Sequence, residues 1–195
     1  MRFAFALLLL LLIARPALAW EPTGQILAGL SRGAYVDVRP DPDGASGLIR
    51  AAEEIAAPPQ VVWAVLVDCD LAPRMAASLK SCRILERDPA GRWDLREQIV
   101  RPGLMPRFRS VVRSDFDAPR RLKFRRTGGD LKILEGEWRL APLDGGRATR
   151  VVYESRAASP YAVPASLARL ALRRDVLTAM AALKRESLAR AGSPR

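Results

Sequence analysis

The alternation of apolar and polar residues predicts short extended segments through most of the chain. Turn-forming prolines and Asp-Gly and Gly-Gly pairs separate these segments. The predicted strands cover residues 34–39, 46–57, 82–88, 92–101, 107–117, 120–127, 131–140 and 148–157. Because most connections are short, we expect an opening strand pair followed by a meander of six neighbouring antiparallel strands.

Two of the predicted strands indicate which side chains face the core. Side chains alternate between the two faces of a strand, so one face of a half-buried strand is apolar. In the segment 92–101, the apolar set is Trp93, Leu95 and Ile99. The opposite set is Asp94, Arg96 and Gln98. In the segment 131–140, the apolar set is Leu134, Trp138 and Leu140. We expect both apolar sets to be buried.

Helices are predicted between the second and third strands and at the C-terminal end. Pro58 and Pro59 cannot extend a β-ladder but fit the first turn of a helix, so a helix begins near Gln60. A second short helix ends near Ser78. After Pro164 the apolar residues recur every three or four positions, which predicts one amphipathic helix of roughly seven turns. Its apolar stripe is Leu172, Val176, Ala179, Met180 and Leu183.

This order of elements, with the pattern apolar–Pro–x–x–x–Val–Trp–x–x–Leu–x–Asp ending at Asp68, resembles the START-like helix-grip superfamily. The most similar branches are the polyketide cyclase/dehydrase and coenzyme-Q-binding proteins. The resemblance covers roughly residues 51–190. It implies an α+β helix-grip fold, in which a curved antiparallel sheet wraps around a long C-terminal helix and leaves an apolar cavity.

The resemblance also implies that the cavity holds a hydrophobic ligand such as a lipid, quinone or polyketide. We therefore expect a binding or carrier protein that needs no cofactor. The candidate cavity residues are Trp63, Leu95, Trp138, Tyr153, Val176 and Met180. Two alternatives stay open. One is a polyketide cyclase/dehydrase-type enzyme that uses polar cavity residues, and the other is a protein-interaction module whose cavity is filled by its own side chains.

The residue types present argue against hydrolase, kinase and nicotinamide-dependent activities. The chain has no histidine, the commonest general base and catalytic-triad partner. It also lacks a Gly-x-Ser-x-Gly elbow, a phosphate-binding loop and a dinucleotide fingerprint. Without histidine and with only two cysteines, no metal site is expected.

Three carboxylates are candidates for a functional role. Glu97 shares the predicted buried strand face of Leu95, and burial would raise its pKa and suit it to proton transfer. Alternatively, strand twist or a bulge turns Glu97 to the rim, or a nearby arginine neutralises it. Asp68 and Asp70 resemble a paired-carboxylate site, but their place at a helix junction favours capping, with Asp70 as the N-cap.

Residues 1–19 have the layout of a secretory signal peptide. An apolar run follows Arg2, and Ala17-Leu18-Ala19 suits a signal peptidase. We expect cleavage after Ala19, a single domain over residues 20–195, and a periplasmic location if the source is Gram-negative. The alternative is a retained N-terminal anchor. In an oxidising compartment Cys69 and Cys82 would form a disulfide; otherwise they are buried thiols.

The net charge of +11 raises the question of an anionic partner. Only four of the 32 basic residues are lysines, a bias that coding composition can also produce, and export argues against nucleic acid. The basic residues that alternate along two neighbouring strands are Arg107, Arg109, Arg113, Arg121, Lys123 and Arg125. They form either a patch that docks on anionic membrane surfaces or a solvated sheet face that prevents edge aggregation.

Overall fold

The computed structural model describes residues 19–41, 46–103, 106–158, 160–161 and 164–192. The predicted signal peptide as far as residue 18 lies outside the described residues. Within the described ranges, no helix is long and apolar enough to cross a membrane.

One curved antiparallel sheet contains all eight strands of the described residues, in the order β1-β2-β8-β7-β6-β5-β4-β3. The strands are β1 (Tyr35–Pro40), β2 (Gly47–Ile55), β3 (Leu79–Arg87), β4 (Trp93–Val100), β5 (Phe108–Asp117), β6 (Arg121–Gly129), β7 (Ile133–Leu143) and β8 (Ala148–Ala158). The last strand returns to pair with β2, so the opening strand pair is joined to the meander of six. The predicted strand pair and meander are confirmed.

The helices follow the proline and periodicity signals of the sequence. They are α1 (Gln25–Gly29), α2 (Pro59–Leu66), α3 (Ala72–Met75) and the 28-residue α4 (Ala165–Gly192). Pro58 occupies the N-cap of α2, and Pro59 lies in its first turn. Backbone N–H groups in the first turn make no hydrogen bond within the helix, so proline costs none there. The result is the predicted α+β helix-grip fold, with α4 packed against α2, α3, β1 and β2.

The core is concentrated under the C-terminal half of α4. Met180 and Leu183 are almost completely buried there, against Val62 and Val65 of α2 and Val151 of β8. The N-terminal half of α4 is different, since Leu172 and Val176 are only partly buried. The helix therefore closes the core at one end and leaves space beneath it at the other.

A disulfide joins Cys69, which follows α2, to Cys82 in β3, with the two Cα atoms 5.4 Å apart. The predicted disulfide is present in the structure. It closes a short loop that contains α3, and constraining such a loop in the unfolded chain stabilises a fold by about 2–3 kcal/mol. The loop also supplies Ala72, Met75 and Leu79 to the wall of the internal cavity described next.

Candidate ligand-binding cavity

A cavity of about 380 Å³ lies between the concave face of the sheet and the middle of α4, from Leu172 to Leu183. This volume is within the range of roughly 300–1,000 Å³ that is usual for small-molecule sites. Most of its wall is apolar and comes from the seven strands β2–β8 and from α2, α3 and α4. The apolar lining includes Leu66, Met75, Leu79, Phe108, Val112, Leu122, Phe124, Leu131, Leu134, Trp138, Leu172, Val176 and Leu183.

Aromatic side chains form one wall of the cavity. Trp138 of β7 and Tyr153 of β8 are directly paired in register, with ring centroids 4.3 Å apart. Phe124 of β6 also stacks on Tyr153, with ring centroids 6.1 Å apart. Burial raises the pKa of Tyr153 because it removes the water that would solvate the phenolate, and the neighbouring Ser155 hydroxyl offsets part of that effect. Tyr153 therefore offers a protonated hydroxyl to the cavity.

Polar side chains on the inner faces of β4 and β5 form the adjoining part of the wall. We call this group the polar strip; its members are Asp94, Arg96, Gln98, Ser110 and Ser114. Asp94 lies directly opposite Ser114 in register, and Gln98 opposite Ser110. All of these residues except Asp94 line the cavity.

An ion pair anchors the polar strip. Arg96 Nε donates to Asp94 Oδ1 at 2.9 Å, and Arg96 Nη2 makes a second, short hydrogen bond to Asp94 Oδ2. Both side chains are buried, and such a two-point pair fixes the guanidinium plane. Asp175 of α4 adds a second carboxylate to the cavity lining.

The predicted orientation of β4 is wrong. The buried inner face carries Asp94 and Arg96, whereas Leu95 lies on the outer face, in register with Arg113 of β5. The neighbouring Trp93 has an outer-face partner that explains its position, because the Arg113 guanidinium lies 4.2 Å from the centre of its ring. The alternation identified two faces correctly but not which one is buried.

Glu97 consequently points away from the cavity. Its carboxylate accepts hydrogen bonds from Arg83 Nη2, at 2.9 Å, and from Arg109 Nε. Arg109 first, and then Arg83, lower the pKa of Glu97, because each stabilises the ionised carboxylate. Glu97 is therefore not a cavity carboxylate with a raised pKa. The alternative expectation, neutralisation by a nearby arginine, is the one that the structure shows.

The six candidate cavity residues divide into two groups. Trp138, Tyr153 and Val176 line the cavity, whereas Trp63, Leu95 and Met180 do not. Trp63 packs edge-on against Phe116, with ring centroids 5.8 Å apart. Met180 is fully buried in the core beneath α4. A stripe of apolar residues along a helix does not distinguish packed core from cavity wall, since both positions are apolar.

The sequence interpretation missed Arg96, Gln98 and Ser110 as cavity residues. A usable signal was present in β5, where Ser110 and Ser114 alternate with Arg109 and Arg113. Serine is much cheaper to bury than arginine, so the serine face of β5 is the better candidate for the inside. Antiparallel register then places the polar face of β4 beside it.

The predicted basic patch lies largely on the outer face of the sheet. Arg107 precedes β5, and the other members are Arg109, Arg113, Arg121, Lys123 and Arg125. Acidic residues stand in register among them. Asp115 and Glu137 flank Lys123, and Glu135 lies opposite Arg125. Opposite charges on neighbouring strands reduce the net positive potential of this face. Membrane docking through it stays a prediction.

Asp68, rather than Asp70, accepts the hydrogen bonds at the start of the α3 segment. Asp68 Oδ1 accepts from the backbone N–H of Asp70, at 3.1 Å, and of Leu71, at 3.3 Å. Its other oxygen accepts from Arg190 Nη2 at 2.9 Å. Partial burial acts to raise the pKa of Asp68, but Arg190 and the two N–H groups outweigh it and lower the pKa. These contacts give Asp68 a structural role. The prediction of Asp70 as the N-cap is wrong, because Leu71 occupies the N-cap of α3 and makes no side-chain hydrogen bond to it.

Outside this cavity, the described residues form a further groove but no metal site. A groove of about 420 Å³ lies beside the disulfide, and four of its nine lining residues are charged, which suits an apolar ligand poorly. The four are Asp68, Asp70, Arg83 and Arg87. Across the part of the chain that the structure describes, no group of three or more His, Cys, Asp or Glu side chains could hold a metal ion.

Solved structures share this architecture. A STAR-related lipid transfer protein from Xanthomonas axonopodis is 16% identical, with a TM-score of 0.67 over 80% of this chain and 94% of the other. A START superfamily protein from Mycobacterium smegmatis is 17% identical (TM-score 0.63; 73% and 98% covered). The Zhui aromatase/cyclase from Streptomyces sp. R1128 is 20% identical (TM-score 0.58; 75% and 93% covered). Sequence identities as low as these show that the folds are alike and nothing more.

The fold and its cavity define a START-like helix-grip protein. A family model described as "Polyketide cyclase / dehydrase and lipid transport" matches residues 55–184. The chain belongs to that family. The sequence has no detectable match among the curated proteins.

Proposed function

We propose that the protein binds an apolar small molecule in the cavity beneath α4 and acts as a binding or carrier protein. The observation that carries this proposal is the 380 Å³ cavity, with a mostly apolar wall and one polar strip. Apolar burial supplies affinity in such a site, and a few polar groups fix the orientation of the ligand. The family and its lipid transfer and aromatase/cyclase neighbours are consistent with a hydrophobic ligand.

The two alternatives are less well supported. For the enzymatic alternative, Glu97 is not available because it points away from the cavity. Catalysis would then depend on Asp175 and the Tyr153 hydroxyl, which are both part of the cavity lining. Conversion of a bound ligand into a new product by the purified protein would favour that alternative. The interaction-module alternative requires a cavity filled by side chains, and a space of 380 Å³ argues against it.

Replacing Ala179 by tryptophan is expected to weaken binding of the apolar dye Nile red by about ten-fold or more. Ala179 lines the cavity, and an indole there occupies volume that the ligand needs. Dye fluorescence during titration measures the affinity, and near-ultraviolet circular dichroism checks that the variant is folded. Solvent extraction of the wild-type protein, followed by mass spectrometry, identifies any ligand that copurifies.

Ala181→Trp is the matched control, because Ala181 is exposed two residues further along the same helix. It should bind Nile red like the wild type. Equal affinity in the Ala179→Trp variant would show that the dye does not enter this cavity. Met180→Trp is unsuitable for this purpose, since Met180 belongs to the packed core and its replacement would destabilise the fold.

We also propose that the protein is exported. The apolar run and Ala17-Leu18-Ala19 support a cleavable signal peptide, and the disulfide suits an oxidising compartment. Trp20, the expected first residue after cleavage, is held in place by stacking on Tyr35 at 5.9 Å and by the Arg50 guanidinium at 5.5 Å. Mass spectrometry of protein from the periplasm should find Trp20 at the N-terminus. A mature form that begins at Met1 would contradict export with cleavage.

A further inference from the structure

The polar strip contains one hydroxyl whose hydrogen-bonding capacity is not used within the described residues. Ser110 is fully buried, and its Oγ has no hydrogen-bond partner there. Its same-face neighbours along β5 are Phe108 and Val112, so along its own strand the hydroxyl stands between two apolar side chains. A buried hydroxyl without a partner costs free energy, which a ligand atom at hydrogen-bonding distance would recover.

The groups around Ser110 are mainly hydrogen-bond donors. A guanidinium has only N–H donors, and Arg96 uses two of them on Asp94. Gln98, directly opposite Ser110 in register, adds an amide with two N–H donors and one acceptor oxygen, so N–H donors still outnumber acceptors. A ligand atom that accepts hydrogen bonds therefore fits this part of the wall better than one that donates them.

The charge balance of the wall disfavours an anionic ligand. Asp94 already compensates the positive charge of Arg96, and Asp175 contributes a second negative charge to the lining. A buried carboxylate or phosphate on the ligand would find no uncompensated cation among these residues, and burying an unpaired charge is costly. A neutral acceptor avoids that cost.

Resting on the binding function proposed above, we propose that the cavity selects a neutral, carbonyl-bearing apolar molecule, such as a ketone, ester or quinone, whose carbonyl oxygen accepts a hydrogen bond from Ser110. The aromatic wall formed by Phe124, Trp138 and Tyr153 packs against the apolar part of that molecule. The charge balance of Asp94, Arg96 and Asp175 disfavours fatty acids and phospholipids with charged head groups.

The test compares three competitors of equal chain length for displacement of Nile red: a medium-chain methyl ketone, the alkane and the fatty acid. At neutral pH the ketone should bind about ten-fold more tightly than the ionised fatty acid. Ser110→Ala should weaken ketone binding by about three- to ten-fold, the usual worth of one hydrogen bond, and leave alkane binding unchanged. The free energy of unfolding of the Ser110→Ala variant should not fall, because the substitution removes a buried polar group that has no partner.

Ser187→Ala is the matched control. Ser187 is also fully buried and its Oγ also lacks a partner among the described residues, but it lies on α4 away from the cavity lining. It should leave the affinities of all three competitors unchanged. Fatty-acid binding as tight as ketone binding, or equal losses for ketone and alkane in Ser110→Ala, would overturn the inference. If neither Nile red nor any competitor binds the wild type, the proposed binding function itself fails.

Discussion

Replacing Asp94 by asparagine is expected to lower the free energy of unfolding by about 3–5 kcal/mol, the usual cost of removing one partner from a buried ion pair. Asp94 and Arg96 are both buried, and the substitution keeps the shape of the side chain while removing its charge. The Arg96 guanidinium would then be an uncompensated charge in the cavity wall. Urea denaturation, followed by circular dichroism, measures the change.

The outer face of the neighbouring strand offers a matched control. Arg113 and Asp115 are also two residues apart and make the same kind of pair, with Arg113 Nε at 2.9 Å from Asp115 Oδ1. Their side chains are 30% and 46% exposed, so water screens the charges. Asp115→Asn should change the free energy of unfolding by no more than about 1 kcal/mol. Equal losses in the two variants would mean that water reaches the Asp94 pair and that the polar strip is hydrated.

The architecture was predictable because local signals agree with the fold. Pro58 and Pro59 can only end a strand or start a helix, and the structure begins α2 there. In β7, apolar Trp138 and Leu140 face inward as the alternation predicts. Strand number, helix positions and the disulfide depend on this kind of short-range information, and each is found.

The cavity was predictable only in part, because its wall does not follow the rule that apolar residues lie inside. In β4, Arg96 is inside because Asp94 neutralises it and accepts two hydrogen bonds from one edge of its guanidinium, from Nε and Nη2. Leu95 is outside because the register of β4 on β5 assigns the inner face to the other set. That choice depends on contacts between strands, which a single strand pattern does not contain.

A similar limit applies to α4. Val176 and Met180 are one turn apart on the same apolar stripe, yet Val176 lines the cavity and Met180 is fully buried in the core. Side chains of the sheet and of α2 pack beneath Met180, whereas the cavity lies beneath Val176. Hydrophobic periodicity predicts the face of a helix, but the depth of the space under that face is set by tertiary packing.

Gly136 is a glycine of β7 at which the fold depends on the absence of a side chain. It pairs with Ser155 of β8 and Phe124 of β6, on the row that continues through Ser114 to Asp94. A Cβ atom at Gly136 would lie 2.3 Å from the carbonyl oxygen of Glu154 and 2.7 Å from the Ser155 Cα. Both are backbone atoms of the adjacent strand, so a small rotation of a side chain cannot relieve the clash.

Gly136→Ala is therefore expected to lower the free energy of unfolding by about 2–4 kcal/mol, since β7 and β8 must separate or shift to admit the methyl group. Gly128→Ala, in β6, is the control. A Cβ there would meet Val111 Cβ at an ordinary 3.6 Å, and the change should stay within about 1 kcal/mol. Urea denaturation of both variants decides the matter: similar stabilities would mean that the two strands adjust freely at Gly136. Because Ser155 lines the cavity, the Gly136 variant should also bind Nile red more weakly than the Gly128 variant, even in the fraction that remains folded.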